Sequence, residues 1–186
     1  MTEMKPWEIL DKKTVYHPNK FLKVELHKIK LPDGRIIDDW GWIILPDFAN
    51  VVARNKNGKF LIFRQTKYAV GTDCLAIPGG FIESNEEPIK AAQRELLEET
   101  GYSSNEWIKL GEFVVDANRG AGRCAFFLAL DCEKTSEPIP DDLEEQELQF
   151  LSLDELKQAL DSNQFKALPW AASVALAIRT LEKFKK

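Results

Sequence analysis

Apolar and polar residues alternate along the first third of the chain, as they do in β-strands that bury one face. Residues 21–31 and 35–45 show this pattern on either side of a Pro-Asp-Gly turn at 32–34. Residues 49–54 and 59–64 show it again around an Asn-Gly dipeptide, which is typical of a two-residue hairpin turn. These stretches predict two β-hairpins.

The second half of the chain changes from strand patterns to helix patterns. Apolar runs and turn residues predict strands at 112–117, 123–130 and 147–153, with a glycine-bearing loop between the first two. Apolar positions spaced as on one side of a helix predict helices at 153–161 and 168–184. Strands combined with a few helices indicate the α+β class, with a mixed β-sheet covered by helices.

Residues 80–102 predict one further helix whose start and end are both encoded locally. A Pro-Gly-Gly turn precedes the segment, Ser84 and Glu87 have the spacing of a capping box, and Pro88 suits a first turn. Gly101 suits the left-handed conformation that ends many helices. The apolar stripe of this helix consists of Ile89, Ala92 and Leu96. The helix is therefore expected to pack through one side and to present polar groups on another.

Four glutamates give this helix its candidate chemistry. Glu95, Glu98 and Glu99 are spaced so that all three carboxylates project from one face, and Glu86 lies near the helix start. Like charges at this spacing repel each other by a few tenths of a kcal/mol per pair. An acidic helix face is often simply solvated, but a hard divalent cation would replace the repulsion by coordination to oxygen. The cluster is therefore a candidate metal site.

The same segment resembles the signature of the Nudix hydrolases. That signature is a glycine, five residues, a glutamate, seven residues, Arg-Glu, an aliphatic residue, any residue, Glu-Glu, any residue, a glycine and an aliphatic or aromatic residue. The matching positions are Gly80, Glu86, Arg94, Glu95, Leu96, Glu98, Glu99, Gly101 and Tyr102. Agreement at every position of so long a motif is a strong signal. The resemblance implies the Nudix fold, which is an α/β/α sandwich with a mixed β-sheet, the acidic helix against the sheet and C-terminal helices. It also implies metal-dependent hydrolysis of a pyrophosphate bond.

The resemblance also implies roles for the residues of the motif. The implied metal ligands are Glu95, Glu98, Glu99 and a backbone carbonyl of Gly79 or Gly80, with Mg²⁺ or Mn²⁺ as the ion. Glu98 and Glu99 are at the same time the first catalytic candidates. Arg94 is expected to orient a neighbouring glutamate through a charge-assisted hydrogen bond rather than to touch substrate. Glu86 is expected to hold Arg94 or to act through water.

Relatives in the ADP-ribose branch of this family also use an acid from a loop after the motif, as a base or as an extra ligand. Residues 141–156 resemble that loop and the strand and helix that follow it. Glu144 is the first candidate for the catalytic acid, with Glu145 and Asp142 behind it. A solvated acidic loop is the alternative interpretation.

Substrate contacts are predicted from arginines and tryptophans outside the motif. Arg64 ends a predicted strand, where a guanidinium could grip a phosphate through two hydrogen bonds, although a surface arginine is an equally good interpretation. Arg119 and Arg123 flank the glycine-bearing loop and are candidates for contact with phosphate or sugar. Trp40 and Trp42 offer faces for stacking on a base, with core or dimer packing as the alternative.

The resemblance implies a division into an N-terminal β extension at 1–45 and a Nudix hydrolase domain at 46–186. In the ADP-ribose and nucleotide-sugar branch this extension exchanges contacts between two subunits, so we expect a homodimer. One feature departs from that branch. ADP-ribose hydrolases commonly carry a proline shortly after the motif, and residues 116–123 contain none. Other nucleoside diphosphate sugars therefore stay open as substrates.

Composition limits the classes of partner. The chain has 186 residues, 44% of them hydrophobic, and a formal net charge of −5, which argues against broad nucleic-acid binding. No apolar run reaches the length of a membrane span, and the first residues lack the pattern of a signal peptide. Cys74, Cys124 and Cys132 are odd in number and lack a CxxC spacing. We therefore expect reduced core thiols in a cytoplasmic protein without nucleic-acid or membrane partners.

Three hypotheses for the function follow. The first is metal-dependent hydrolysis of a nucleoside diphosphate sugar such as ADP-ribose, giving a nucleoside monophosphate and a sugar phosphate. The second keeps the fold and the metal but takes a dinucleotide or a nucleoside triphosphate as substrate. The third is a sensor that binds nucleotide without hydrolysing it. Such sensors usually lose acids of the motif, whereas all of them are present here.

Overall fold

The computed structural model describes residues 4–139 and 145–184, which contain eleven strands and three helices. In chain order these are β1 (Glu8–Asn19), β2 (Leu22–Lys30), β3 (Ile36–Ile44), β4 (Phe48–Asn55), β5 (Phe60–Thr66), β6 (Asp73–Ala76), β7 (Gly79–Phe81), α1 (Pro88–Thr100), β8 (Tyr102–Ser103), β9 (Glu106–Asp116), β10 (Gly120–Lys134), β11 (Gln146–Leu151), α2 (Leu153–Asp161) and α3 (Leu168–Phe184). Both predicted hairpins and all three predicted helices are present. The strands β9 and β10 are longer than predicted.

The chain forms two compact units. The first contains the residues up to Asp47 together with Phe113–Arg123, and the second contains Phe48–Glu112 and the chain from Cys124 onward. The end of β9 and the beginning of β10 therefore join the first unit although they lie far along the chain. The predicted division after residue 45 stays a prediction, as does the role of that segment in dimerisation.

The first unit is built on the antiparallel strands β1, β2 and β3. Thr14 of β1 lies opposite Glu25 of β2, and Val24 of β2 lies opposite Ile43 of β3. Every residue of β1 is exposed. Its sequence therefore has no burial pattern, and this is why alternation of apolar and polar residues did not reveal the strand.

The sheet of the second unit is mixed. Strand β4 runs parallel to β10, with Val52 opposite Leu128, and antiparallel to β5, with Ala53 opposite Leu61. Strand β5 is also antiparallel to β6 and β11, and β7 is antiparallel to the beginning of β4. This confirms the predicted mixed sheet. The short strands β6 and β7 were not predicted, and β7 brings the Pro-Gly-Gly turn next to β4.

Helices cover both faces of this second sheet. On one face, Val51 of β4 belongs to an apolar cluster with Leu96 of α1. On the other face, Val52 belongs to a cluster with Leu156 of α2 and Val174 of α3. All five side chains are 0% exposed, and burial of each contributes about 1.5–3 kcal/mol relative to exposure in water. The layers confirm the predicted α+β class with an α/β/α sandwich.

The start of α1 corrects one prediction. The helix begins at Pro88, and Glu87 before it is extended and makes no side-chain cap, so the predicted capping box of Ser84 and Glu87 is wrong. A turn precedes the helix instead. In that turn the Glu86 amide donates to the Glu83 carbonyl at 3.1 Å, and the Glu83 amide donates to the Glu86 carboxylate at 2.9 Å. The fixed backbone angle of proline suits the first helical position without a cap.

The end of α1 and the start of α2 are held by local hydrogen bonds. Gly101 ends α1 as predicted, with φ of 74° and its amide bonded to the Leu97 carbonyl. A capping box that was not predicted begins α2, where the Glu155 amide donates to the Ser152 hydroxyl at 3.3 Å and the Ser152 amide donates to the Glu155 carboxylate at 2.6 Å.

Within residues 4–139 and 145–184, no helix combines the length and apolar character needed to cross a membrane. The three cysteines are buried, as predicted for core thiols.

Candidate active site

Helix α1 carries Arg94 at the centre of a cluster of carboxylates. Nη1 of Arg94 donates to Glu95 at 2.6 Å and to Glu98 at 3.2 Å. Nε and Nη2 donate to the two oxygens of Glu86 at 3.0 and 2.9 Å, and Nη2 also donates to the Phe81 carbonyl at 3.0 Å. A planar guanidinium with five N–H groups can hold several acceptors at once. Arg94 therefore fixes three of the motif acids relative to one another.

Burial and the charge of Arg94 shift the acidity of these carboxylates in opposite directions. The hydrogen bond from Arg94 lowers the pKa of Glu86 below its usual value. Burial raises the pKa of Glu95 even though Arg94 acts to lower it. The Glu95 side chain is only 14% exposed, whereas that of Glu98 is 42% exposed. A charged carboxylate is costly in so dry a position, and this part of the cluster therefore favours a cation beside it.

The Pro-Gly-Gly turn brings its backbone against the same side chains. The Gly79 amide donates to Oε2 of Glu99 at 2.8 Å. A Cβ atom at Gly80 would lie 2.5 Å from the carboxyl group of Glu95, and one at Gly79 would strike the Ala49 carbonyl. Gly79 also has φ of 153°, which residues with a side chain rarely adopt. The two glycines thus let the backbone and the acids of α1 meet.

The donor set of this site fits a hard divalent cation. Glu95, Glu98 and Glu99 lie on one helix, and Glu95 and Glu99 meet the Pro-Gly-Gly backbone. Mg²⁺ and Mn²⁺ bind carboxylate oxygens of this kind. In the part of the chain that the structure describes, no three His, Cys, Asp or Glu side chains form a closed metal-binding group. Arg94 is bonded to both Glu95 and Glu98 and supplies positive charge beside them in this arrangement.

Two further predicted elements of the site lie outside the motif. Glu144 and Asp142 fall outside the described residues, and Glu145 is exposed directly before β11. Arg64 on β5 is exposed, and its Nε donates to Oδ2 of Asp73 at 2.7 Å. This arginine therefore already has a carboxylate partner across the β5–β6 pair. The catalytic role of the loop acids and the phosphate contact of Arg64 stay predictions.

Two of the predicted substrate contacts meet in the first unit. Cζ of Arg119 lies 4.1 Å from the ring centroid of Trp40, which is within the range of a cation–π contact. Nε1 of Trp40 donates to the Asn118 carbonyl at 2.9 Å. Arg123 lies in the same unit, and its amide donates to Oδ1 of Asp47 at 2.8 Å. Arg119 thus covers one face of the Trp40 ring, and the predicted contacts of all three residues with substrate stay predictions.

Trp42, the last predicted contact, is held by a buried charge network. Its ring stacks on His27 with centroids 5.4 Å apart, and a Cβ atom at Gly120 would lie 2.6 Å from it. Nε2 of His27 lies 2.9 Å from Oε2 of Glu25. Hydrogen bonds from Lys23 and from His27 lower the pKa of Glu25 to about 2. One face of Trp42 is therefore occupied within the first unit, and its role in base stacking stays a prediction.

Asn50 is a residue of the site that the motif did not indicate. It pairs with Gly79 across β4 and β7, and it is 3% exposed. Its side-chain nitrogen has no hydrogen-bond partner among residues 4–139 and 145–184, which is uncommon for a buried amide. The signal available in the sequence was a polar side chain within the apolar run of β4.

Family comparison decides the class of this site. Residues 45–171 match the NUDIX domain family. The chain belongs to this family. Residues 7–43 of this Nudix protein match a second family, the nucleoside diphosphate sugar hydrolase N-terminal domain. These matches confirm the predicted class of enzyme, a Nudix pyrophosphohydrolase. Nudix hydrolases generally use divalent metal ions.

Individual relatives are similar over different shares of the chain. A CMP-5'-(N-acetyl-N-hydroxy-3-aminopropyl)phosphonate hydrolase from Streptomyces rubellomurinus is 25% identical over 150 residues, which cover 81% of this chain and 72% of the relative. An ADP-ribose pyrophosphatase from Bacillus subtilis is 30% identical over 94 residues, which cover 50% of this chain and 50% of the relative. The crystal structure of an ADP compounds hydrolase superposes with a TM-score of 0.84 at 17% identity, covering 99% of this chain and 98% of that one. That superposition confirms the Nudix fold.

Proposed function

We propose that this chain hydrolyses the pyrophosphate bond of a nucleoside diphosphate sugar, with ADP-ribose as the first candidate. The products would be a nucleoside monophosphate and a sugar phosphate. The observation that carries the proposal is the gathering of Glu86, Glu95 and Glu98 around Arg94, with Glu99 bonded to the Pro-Gly-Gly turn. A complete set of motif acids supports hydrolysis rather than binding alone.

The proposed roles follow from the surroundings of each acid. The proposed ligands of Mg²⁺ or Mn²⁺ are Glu95, Glu98, Glu99 and the Gly79 carbonyl. When bound, the ion would neutralise charge on the diphosphate and lower the pKa of a coordinated water. Arg94 holds Glu95 in place by a hydrogen bond, and Glu86 in turn holds Arg94. Glu98 is the most exposed of the acids bonded to Arg94 and is proposed to face substrate. Glu144 or Glu145 is proposed as the base.

Support for the class of substrate comes from the N-terminal match and from the relatives. The first unit contains the segment that matches the N-terminal domain of nucleoside diphosphate sugar hydrolases. One relative is named for ADP-ribose and another for a CMP-linked phosphonate, so a nucleotide joined through an anhydride is common to both names. The proposed contacts to phosphate, sugar and base are Arg64, Arg119, Arg123, Trp40 and Trp42.

A substrate panel with product analysis tests this proposal. The protein with Mg²⁺ or Mn²⁺ would be given ADP-ribose, a uridine diphosphate sugar, a CMP-linked phosphonate, a dinucleotide and a nucleoside triphosphate. We expect a nucleoside monophosphate and a sugar phosphate from at least one nucleotide sugar, turned over faster than the last two compounds. Faster release of phosphate or pyrophosphate from the triphosphate would assign a different substrate. Binding of ADP-ribose without turnover at any metal concentration would support a sensor instead.

We also propose that the first unit mediates a homodimer. The support is the family match at residues 7–43 and a set of large apolar side chains that β1 and the segment before it leave exposed. Trp7 is 49%, Ile9 52% and Tyr16 55% exposed, and exposed apolar groups of this size are typical of interfaces. Light scattering coupled to size exclusion should give twice the chain mass. A monomer at micromolar concentration would contradict this proposal.

A further inference from the structure

A cavity of about 460 Å³ lies in the second unit beside the apolar cluster of α2 and α3. Its walls combine four apolar side chains with Arg54, Glu106 and the turn residue Gly58. The apolar residues are Phe60, Leu130, Leu153 and Leu181. A volume of this size is in the range of small-molecule sites, which typically join apolar walls to a few polar groups.

Arg54 distinguishes this cavity from a simple packing defect between apolar side chains. The residue is half-buried, and its Nε is buried without a hydrogen-bond partner in residues 4–139 and 145–184. Neighbouring cations differ, since Lys56 pairs with Glu133 and Lys59 lies 3.5 Å from Glu155. A buried N–H of a charged group without an acceptor is costly. Nε of Arg54 lacks an acceptor among the described residues, even though the carboxylate of Glu106 lines the same cavity.

The cavity is separate from the acidic cluster of α1 in both position and direction. Gly80 of the motif pairs with Ala49 at the beginning of β4, and Arg54 follows on the same strand by about 16 Å at the usual rise per residue. Side chains alternate along β4, so that Val51 faces α1 whereas Val52 faces α2 and α3. Arg54 shares the face of Val52. A ligand in this cavity would therefore not occupy the pyrophosphate site.

We propose that this cavity binds a small organic anion with an apolar body. One carboxylate or phosphate group would accept hydrogen bonds from Arg54, because a charged acceptor matches a charged donor best. The hydrocarbon part would lie among the four apolar side chains. Glu106 lines the same cavity and is exposed, so it would repel a second anionic group. The ligand class is therefore an amphiphile with a single anionic head, and its binding can be measured without turnover.

The test uses three probes that each carry one phenyl ring: 3-phenylpropionate, phenyl phosphate and 3-phenylpropan-1-ol, which is the neutral counterpart of the first. Each would be titrated into the full chain while leucine methyl signals are followed by NMR. We expect both anions to saturate below about 10 mM and to shift Leu130, Leu153 and Leu181 rather than Leu96 and Leu97 of α1. The two anions separate a carboxylate site from a phosphate site. The alcohol should bind at least about tenfold more weakly because it offers no charge to Arg54.

Two variants and one control make the test decisive. Arg54→Gln should weaken binding of both anions by about tenfold or more, whereas Arg179→Gln removes an exposed charge elsewhere and should leave it unchanged. Leu153→Trp keeps Arg54 but fills the cavity and should also abolish binding. Circular dichroism would show that each variant is folded. Equal binding of the alcohol, unchanged binding by the folded variants, shifts centred on α1 or no saturation by either anion would each overturn the proposal.

Discussion

Arg94 and Arg54 lie on opposite sides of the sheet in the second unit, and both are half-buried, yet their surroundings differ. Arg94 donates to the carboxylates of Glu86, Glu95 and Glu98. Arg54 has a buried Nε that finds no acceptor in the described part of the chain. The charge of the first arginine is compensated within the motif, and the charge of the second calls for a partner from outside.

This difference shows how each of the two regions contributes to stability and to function. Around Arg94 there are more carboxylates than cations. These carboxylates bind the one arginine, and they still have oxygens that a metal ion can bind. Around Arg54 the apolar walls contribute burial, and the Nε of Arg54, which has no acceptor in the described residues, gives the cavity its preference for an anion although Glu106 also lines it. Charge that is balanced locally supports the structure, whereas charge that is unbalanced in either sign indicates a ligand.

The largest expected effect concerns the acids around Arg94. Glu98→Gln and Glu99→Gln keep the size of each side chain but remove a charged oxygen ligand. Loss of a residue that only hydrogen-bonds to a metal ligand typically lowers activity by roughly 10–100-fold. Because Glu98 and Glu99 are proposed to bind the metal themselves, we expect each substitution to lower kcat/KM for the best nucleotide sugar by more than this. Glu106→Gln, which removes a carboxylate at the other cavity, should leave kcat/KM unchanged. Full activity in Glu98→Gln would remove the acid from the mechanism.

Replacing each arginine by glutamine in a separate variant compares the two regions directly. Arg94→Gln leaves Glu86 and Glu95 largely buried without their cation, and we expect a loss of about 2 kcal/mol of unfolding free energy after allowance for partial exposure. Arg54→Gln removes a charge that has no acceptor in the described residues, so stability should change by less than about 1 kcal/mol or rise. Urea denaturation of both variants measures this. Equal losses would mean that Arg54 has a partner in solution.

The two glycines of the turn separate an effect on the acids from an effect on the backbone. Gly80→Ala would place its Cβ atom against the flexible carboxyl group of Glu95. We expect this to move the acid and to lower activity by about tenfold with little change in stability. Gly79→Ala would instead meet the Ala49 carbonyl in a backbone conformation unfavourable for alanine, and it should destabilise the fold by about 1–3 kcal/mol. The reverse order of effects would contradict the packing described for the turn.

Lowering the pH should gradually remove the stabilising contribution of the carboxylate beside Arg94, a contribution that Nε of Arg54 lacks in the described residues. The pKa of Glu86 is lowered by Arg94 from an ordinary value of 4.5. Its stabilising contribution is therefore fully present above pH 4.5 and is lost as the pH falls through the lowered pKa. Glu86→Gln should flatten the part of the stability curve below pH 4.5, and Arg54→Gln should leave it as in the unchanged chain. Identical acid curves for all three proteins would exclude Glu86 from the linkage.

Local sequence signals predicted the features that depend on neighbouring residues. The acids of α1 share a face because their spacing on one helix requires it, and the turns after β2 and β4 follow from their glycines. Features that depend on distant parts of the chain were missed. Strand β1 is exposed along its length and has no burial pattern. The pairing of Arg64 with Asp73 needs the unpredicted β6, and the cavity at Arg54 needs both C-terminal helices.

Binding of Mn²⁺ followed by electron paramagnetic resonance, with a non-hydrolysable ADP-ribose analogue present, tests the central claim most directly. The unchanged protein, Glu98→Gln and Glu106→Gln would be titrated under one set of conditions. We predict that Glu98→Gln binds Mn²⁺ at least about tenfold more weakly than the other two. Equal Mn²⁺ binding by all three proteins would contradict the assignment of the glutamates of α1 as the metal site.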